Sequence, residues 1–264
     1  MVLTLDIGNT HIVIGGFLEG ELQFVSRLST DAKKTEDEYA ALLYDIFRLE
    51  KVNQPEVGGA IISSVVPPLN QTMTAALQKV CGITPMIVGP GVKSGVNLLV
   101  DNPQQVGADL VCSAAAVAEF YDLPALVVDM GTATKLSVID ENGAFRGVSI
   151  SPGVQMGLMA LSGGTAQLPQ ISLDAPRHLI GRNTVDSMQS GVVYGTACMI
   201  DGMAKRMEEE FGAPLNMVAT GGIAKYIIPH CSTDFTLDDT LILKGLCRIY
   251  EKNSVSVSCR DDHI

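Results

Sequence analysis

The chain has 264 residues, 47% of them apolar, and a formal net charge of −11. That length allows two ordinary domains or one large one, with sizeable cores, and the acidity argues against nucleic acid or an anionic membrane as a partner, since both attract basic surfaces. No apolar run reaches the about 18 residues of a membrane-spanning helix, and the chain enters a strand pattern with no basic segment ahead of it, so neither anchoring nor export is expected.

The first stretch, Val2 to Gly15, reads as a short apolar strand, a tight turn and a second apolar strand. Asp6 stands where the first strand ends, and Gly8 supplies a turn with no side chain in the way. Asn9 and Thr10 then offer polar groups and backbone N–H groups, an arrangement that can cradle phosphate oxygens. Taken alone it is equally an ordinary hairpin with an Asp-x-Gly turn. Further strand-like runs occupy Phe17 to Leu28. Thr35 and Glu38 form a capping box for an amphipathic helix whose apolar face is Tyr39, Leu42, Leu43, Ile46 and Phe47. Ala60 to Val66 is expected as a buried strand stopped by Pro67-Pro68, followed by a helix from about Asn70 to Val80 with Gly82 at its end. A strand over Thr84 to Val88 leads to a long loop, and from Ala108 an alanine-rich helix runs through Glu119. Asp109 falls in its first turn, where the helix dipole favours a negative charge. Many helix-opening aspartates have no further role.

Leu123-Pro124 marks the expected boundary between two lobes, 1–122 and 123–253, with 254–264 as a flexible polar tail. The second half repeats a three-strand meander over Ala125 to Ile150. Pro152-Gly153 then opens a helix over Val154 to Leu161, residues 165–183 look irregular, and a long helix follows Asn183 to about Phe211. Met217 to Ala224 is a strand, a Gly-Gly turn and a helix start, and Leu241 to Glu251 is the last helix.

The two halves are related. Leu126-Val127-Val128-Asp129-Met130-Gly131-Thr132 repeats the opening pattern, with Asp6 and Asp129 separated by 123 positions, and Gly8 and Gly131 by the same interval. The turn Glu19-Gly20 recurs at that spacing as Asn142-Gly143, a strong hairpin signal. Three features at one offset argue for a duplication. The expectation is two α/β lobes with Asp6 and Asp129 facing across one nucleotide cleft. The six cysteines (Cys81, Cys112, Cys198, Cys231, Cys247 and Cys259) lack C-x-x-C spacing and are read as reduced thiols in a cytoplasm. The four histidines form no zinc pattern.

In order along the chain stand Asp6-x-Gly8-Asn9-Thr10, Asp101-Asn102-Pro103-x-x-x-Gly107-Ala108-Asp109, Asp129-x-Gly131-Thr132-Ala133 and Pro152-Gly153. Then come Gly181-x-Asn183-Thr184-Val185-x-x-Met188-Gln189-Ser190-Gly191, Thr220-Gly221-Gly222 and Leu243-Lys244-Gly245-Leu246. This series resembles the type III pantothenate kinases, within the acetate kinase/Hsp70/actin-like superfamily with its duplicated actin-like (ribonuclease H-like) domains. The resemblance implies ATP-dependent phosphorylation of pantothenate, the opening step of coenzyme A synthesis, by a homodimer using Mg²⁺ and a monovalent cation, K⁺ or ammonium. By position it assigns Asp6, Ile7, Gly8, Asn9, Thr10, His11, Ile12, Val13 and Thr132 to the ATP phosphates, and Asp109 to the role of general base. It assigns Val100, Gly107, Ala108, Asp109, Leu110 and Thr184 to the pantothenate side, and Asp129 to the monovalent cation. The residue types suit the chemistry, because phosphoryl transfer needs positioning, charge stabilisation and one carboxylate to take a proton.

The chain departs from the family pattern where members usually carry tyrosine (here Val100), arginine (Leu110), threonine (Lys135) and aspartate (Ser137). Leucine cannot replace an arginine fork that grips a carboxylate. Lys135 adds a positive charge near the phosphates. Two functions are therefore carried forward. One is a working kinase for pantothenate or a related small alcohol; the other is a non-catalytic nucleotide-binding relative with a regulatory or partner role.

Overall fold

A computed structural model of the protein describes residues 1–165 and 168–258. Its contacts divide into two units: the first holds Met1–Asn97, Asp101–Glu119 and the segment from Leu241 onward, and the second holds Leu98–Val100 and Phe120–Thr240.

In the first unit β1 (Val2–Ile7), β2 (His11–Leu18) and β3 (Glu21–Ser29) form an antiparallel meander. After α1 (Glu36–Leu49), β4 (Gly59–Ser64) joins β1 in parallel. After α2 (Pro67–Cys81), β5 (Met86–Ile87) joins β4, giving the order β3-β2-β1-β4-β5. Strand alternation sends Leu3, Leu5 and Ile7 into one core with Tyr39, Leu43 and Phe47 of α1 and Leu69, Met73 and Leu77 of α2. Thr4 and Asp6 occupy the opposite face. The capping box at Thr35 forms as expected. The helix after β4 starts at Pro67 rather than Asn70, because a proline in the first turn has no N–H to leave unsatisfied. Gly82 caps its far end in the left-handed conformation. β5 is shorter than the run 84–88, since Pro85 cannot donate to a ladder. α3 (Ala108–Phe120) is buried continuously from Leu110 to Val117, as its lack of a polar face requires.

The second unit repeats this plan. β6 (Ala125–Met130), β7 (Ala133–Ile139) and β8 (Phe145–Pro152) form the meander, and α4 (Val154–Gly163) and the 28-residue α5 (Thr184–Phe211) follow. β9 (Asn216–Thr220) pairs with β6 in parallel, and after the one-turn α6 (Ala224–Ile227), β10 (Thr236–Leu237) extends the sheet to β10-β9-β6-β7-β8. That order mirrors the first sheet strand for strand, and β6 lies 123 residues after β1 at both ends. Val193, Ala197, Ile200 and Ala204 give α5 the stripe that covers this sheet.

The expected lobe limits need two corrections. The last helix, α7 (Leu241–Ser258), belongs to the first unit, not the second. Its buried Leu243, Leu246 and Ile249 pack against β1, β2 and β4, and Arg248 pairs with Glu119 of α3 at 3.0 Å. In the other direction, Leu98–Val100 joins the second unit because Leu98 bridges to Phe145 and the Leu99 N–H donates to the Phe145 carbonyl. α7 also runs past Glu251, helped by Asn253, whose amide donates to the Ile249 and Lys93 carbonyls. The part of the expected tail over 259–264 lies outside the described residues. Among the described residues no helix is long and apolar enough to cross a membrane.

Candidate active site

The first candidate phosphate loop joins β1 to β2. Ile7 and Ile12 pair across the hairpin and are fully buried, so they contribute its frame and not its polar surface. The Gly8 N–H donates to the His11 carbonyl at 3.0 Å and closes the turn, while Asn9, Thr10 and His11 are exposed. Thr30, at the end of β3, anchors the loop twice: its hydroxyl donates to the Gly8 carbonyl at 2.7 Å and its N–H to the Thr10 carbonyl at 3.0 Å. Asp6 has Val13 opposite on β2 and Ser63 opposite on β4, and the Ser63 hydroxyl donates to Asp6 Oδ1 at 3.0 Å.

Asp109 lies in the same unit. Its Oδ1 accepts the Leu110 N–H at 2.9 Å, and a Cβ at Gly107 would stand 2.5 Å from that oxygen, so glycine there leaves room for the carboxylate. Cys112, one turn along α3, reports on the surroundings. Burial pushes its thiol well above the ordinary range, the carboxylates of Asp6 and Asp109 push it further, and a hydrogen bond with Ser63 opposes them. The structure thereby brings Asp6, Ser63, Cys112 and Asp109 into one cluster. Ala108 is half-buried beside it, and Leu110 is a packed side chain, 8% exposed. Val100 does not share this unit.

The second candidate loop is Gly131-Thr132-Ala133, closed by the Gly131 N–H donating to the Ala133 carbonyl at 3.1 Å. Thr132 is exposed, and its carbonyl accepts the Gly153 N–H at 3.1 Å. A side chain at Gly153 would collide with the carbonyl oxygens of Thr132 and Gly131, so the start of α4 lies against this loop only as glycine. Behind it, the Ile223 N–H donates to the Met130 carbonyl, which gives the Gly221-Gly222 turn its place. Asp129 stands opposite Lys135, with Lys135 Nζ 2.6 Å from Asp129 Oδ2 and side-chain exposures of 15% and 11%.

Thr184 opens α5 in the same unit and is exposed beside a cavity of about 900 Å³, lined chiefly by apolar side chains such as Val154, Leu158, Leu161 and Met188. Asn183 caps the helix: its Oδ1 accepts the Asp186 N–H at 2.9 Å and its Nδ2 donates to the Asp186 carboxylate at 2.8 Å. Gln189 donates to Ser172, and the Ser190 hydroxyl donates to the Leu179 carbonyl. Most of this long motif therefore straps the segment before α5 onto the helix. Sequence reasoning missed Thr30, Ser63 and Cys112, whose parts depend on strand pairing and helix packing. Among the described residues no group of three or more His, Cys, Asp or Glu side chains could hold a metal ion.

A family model described as type III pantothenate kinase matches residues 2–206. A type III pantothenate kinase of Halalkalibacterium halodurans is 42% identical over 253 residues, covering 96% of this chain and 100% of its own. Among solved structures, a conserved putative Baf family transcriptional activator from Campylobacter jejuni aligns with a TM-score of 0.61 at 20% identity, over 96% of this chain and 99% of that one. Component A of the (R)-2-hydroxyglutaryl-CoA dehydratase of Acidaminococcus fermentans aligns with a TM-score of 0.58 at 14% identity, over 96% and 98% of the two chains. At such identities these two speak for the fold alone, a pair of duplicated actin-like α/β domains. With the family model matched over most of its length and a relative this similar over nearly all of it, the chain belongs to the type III pantothenate kinases.

Proposed function

We propose that the chain transfers a phosphoryl group from ATP to pantothenate, giving 4′-phosphopantothenate for coenzyme A synthesis, with Asp109 as the general base. The observation that supports this assignment is that Asp109 opens α3 with its Oδ1 held by the Leu110 N–H and room left by Gly107, in the same unit as the first phosphate loop. The pantothenate hydroxyl gives its proton to Asp109 as its oxygen attacks the γ-phosphorus. The bond to the ADP oxygen breaks in the same displacement. Within the first unit, Asn9, Thr10 and His11 are the loop's groups for phosphate, presented by the hairpin that Ile7, Gly8, Ile12 and Val13 shape; within the second, Thr132 is the corresponding group of its own loop. Mg²⁺ suits this donor set, since it is commonly held by one or two carboxylates together with substrate phosphates, and Asp6 would supply the carboxylate. When bound it neutralises charge developing on the phosphate oxygens.

The monovalent cation expected at Asp129 does not suit the residues present, because the Lys135 ammonium already stands against that carboxylate. On the acceptor side of the first unit, Gly107 and Ala108 contact pantothenate and Leu110 offers it neither a cation nor a hydroxyl; in the second unit Thr184 is the residue assigned to pantothenate, and Val100 has no hydroxyl to give. The protein acts as a homodimer. Met156, Met159, Leu179 and Ile180 of the second unit support this, being apolar side chains 49%, 73%, 67% and 82% exposed and so suited to burial against a second copy. It works in the cytoplasm, where a reducing milieu suits the five free cysteines among the described residues.

The test is turnover of ATP in Mg²⁺ with a panel of small alcohols, pantothenate first, the products identified by mass. Formation of 4′-phosphopantothenate is expected. ATP binding without transfer to any acceptor would put the non-catalytic reading in its place.

A further inference from the structure

We propose that Lys135 is a built-in cation: its ammonium takes the place of a monovalent ion at Asp129, and the enzyme works without K⁺ or ammonium. The inference rests on the reading of the Gly131-Thr132 loop as a phosphate loop. Three observations carry it. Lys135 Nζ lies 2.6 Å from Asp129 Oδ2, with both side chains largely out of solvent. A second cation at this carboxylate would meet a like charge at close range in a poorly screened site. The fold does not demand the lysine, because in the first unit the same antiparallel strand pair sets Val13 opposite Asp6, and that aspartate takes a hydroxyl from Ser63.

The placement fits an electrostatic task. Asp129 is the last residue but one of β6, two positions before Gly131, and Thr132 follows at the exposed turn. Fixing a positive charge at Asp129 holds the strand end beside the loop neutral, so an approaching phosphate does not meet a bare carboxylate. A buried ion pair is weak evidence for stability, since its desolvation offsets its attraction. A part in positioning phosphate explains its presence where stability alone does not. Lys135 is on this account a positioning residue, acting through Asp129 and the loop.

The experiment compares wild type with Lys135→Thr in buffers whose only monovalent cation is tetramethylammonium, then with K⁺ or NH₄⁺ added. It reads kcat, KM for ATP and, by calorimetry, ATP affinity in the absence of acceptor. Wild type should change less than about twofold in every reading. Lys135→Thr should lose roughly ten- to a hundredfold in ATP affinity without K⁺, the scale of a charge-assisted contact, and recover with K⁺ or NH₄⁺. Activation of wild type by K⁺ of tenfold or more overturns the proposal, and so does a Lys135→Thr protein that binds ATP as well as wild type without K⁺. The wild-type arm decides even if the variant fails to fold. The affinity arm needs no acceptor, so failure to phosphorylate pantothenate would defeat the function above while leaving this inference tested.

Discussion

The two Asp-x-Gly hairpins were made from one pattern and have been put to different uses. Each follows an inner strand, each is closed by the N–H of its glycine, and each sits in a five-stranded sheet of the same order. In the first, four residues separate the paired Ile7 and Ile12, and the loop is tethered at its edge by Thr30. In the second, three residues separate Met130 and Thr134, and the start of α4 lies directly on the loop. The aspartates part further: Asp6 is matched to a hydroxyl above a buried neutral thiol, Asp129 to an ammonium. Apolar strand and turn glycine are held by the requirements of the backbone, so they survive duplication. The polar partner opposite the aspartate answers to chemistry and is free to change.

The sharpest way to separate the two regions is Asp109→Asn. General-base catalysis contributes about 10²–10⁴-fold, so kcat should fall on that scale while ATP affinity holds. Turnover within a few-fold of wild type would remove the first cluster from the chemistry. Next in size is Leu110→Arg, which adds a fork for the pantothenate carboxylate and should lower KM for pantothenate by roughly one to two decades. An acceptor lacking the carboxylate should gain little. Because Leu110 is 8% exposed, the longer side chain should also lower the melting temperature, and an unchanged KM would mean that another residue grips the carboxylate.

A third test compares the loops themselves. Gly153→Ala forces a methyl group onto the carbonyls of the second loop and should cost about 1–3 kcal/mol of stability, together with ATP affinity. Gly8→Ala meets only the His11 carbonyl at 3.1 Å and should cost less. Equal costs in paired melting curves would erase the distinction between a clamped loop and an open one. The smallest effect concerns Cys112. Its thiol is raised in the fold, so as pH rises the unfolded chain releases this proton first. The stabilising contribution is thus complete below the ordinary thiol value of 9.0 and declines above it, by up to about 1.4 kcal/mol per pH unit. Denaturant curves from pH 8 to higher pH should show a shallower decline for Cys112→Ala, and parallel slopes would contradict the burial described.

What could be read along the chain was what depends on near neighbours. Turn glycines, alternating strands, the capping box at Thr35 and the 123-residue interval were legible, and the structure keeps them. The two-residue strand β10 went unread because it exists through its pairing with β9 and not through its own pattern, while β5 was read longer than the two residues that pair with β4. Of the site, the aspartates and both loops were legible, but their partners were not. Ser63 meets Asp6 through parallel pairing across 57 positions, and Cys112 reaches the same spot through helix packing. Lys135 was visible as a charge, yet only the register of β6 against β7 puts it on Asp129. α7 returns to the first unit although it follows the second in sequence, because its apolar face finds β1, β2 and β4. Local sequence determined where the chain turns and which faces are apolar. Tertiary structure alone decided which polar groups meet, because such contacts follow from how strands and helices distant in sequence come to lie together.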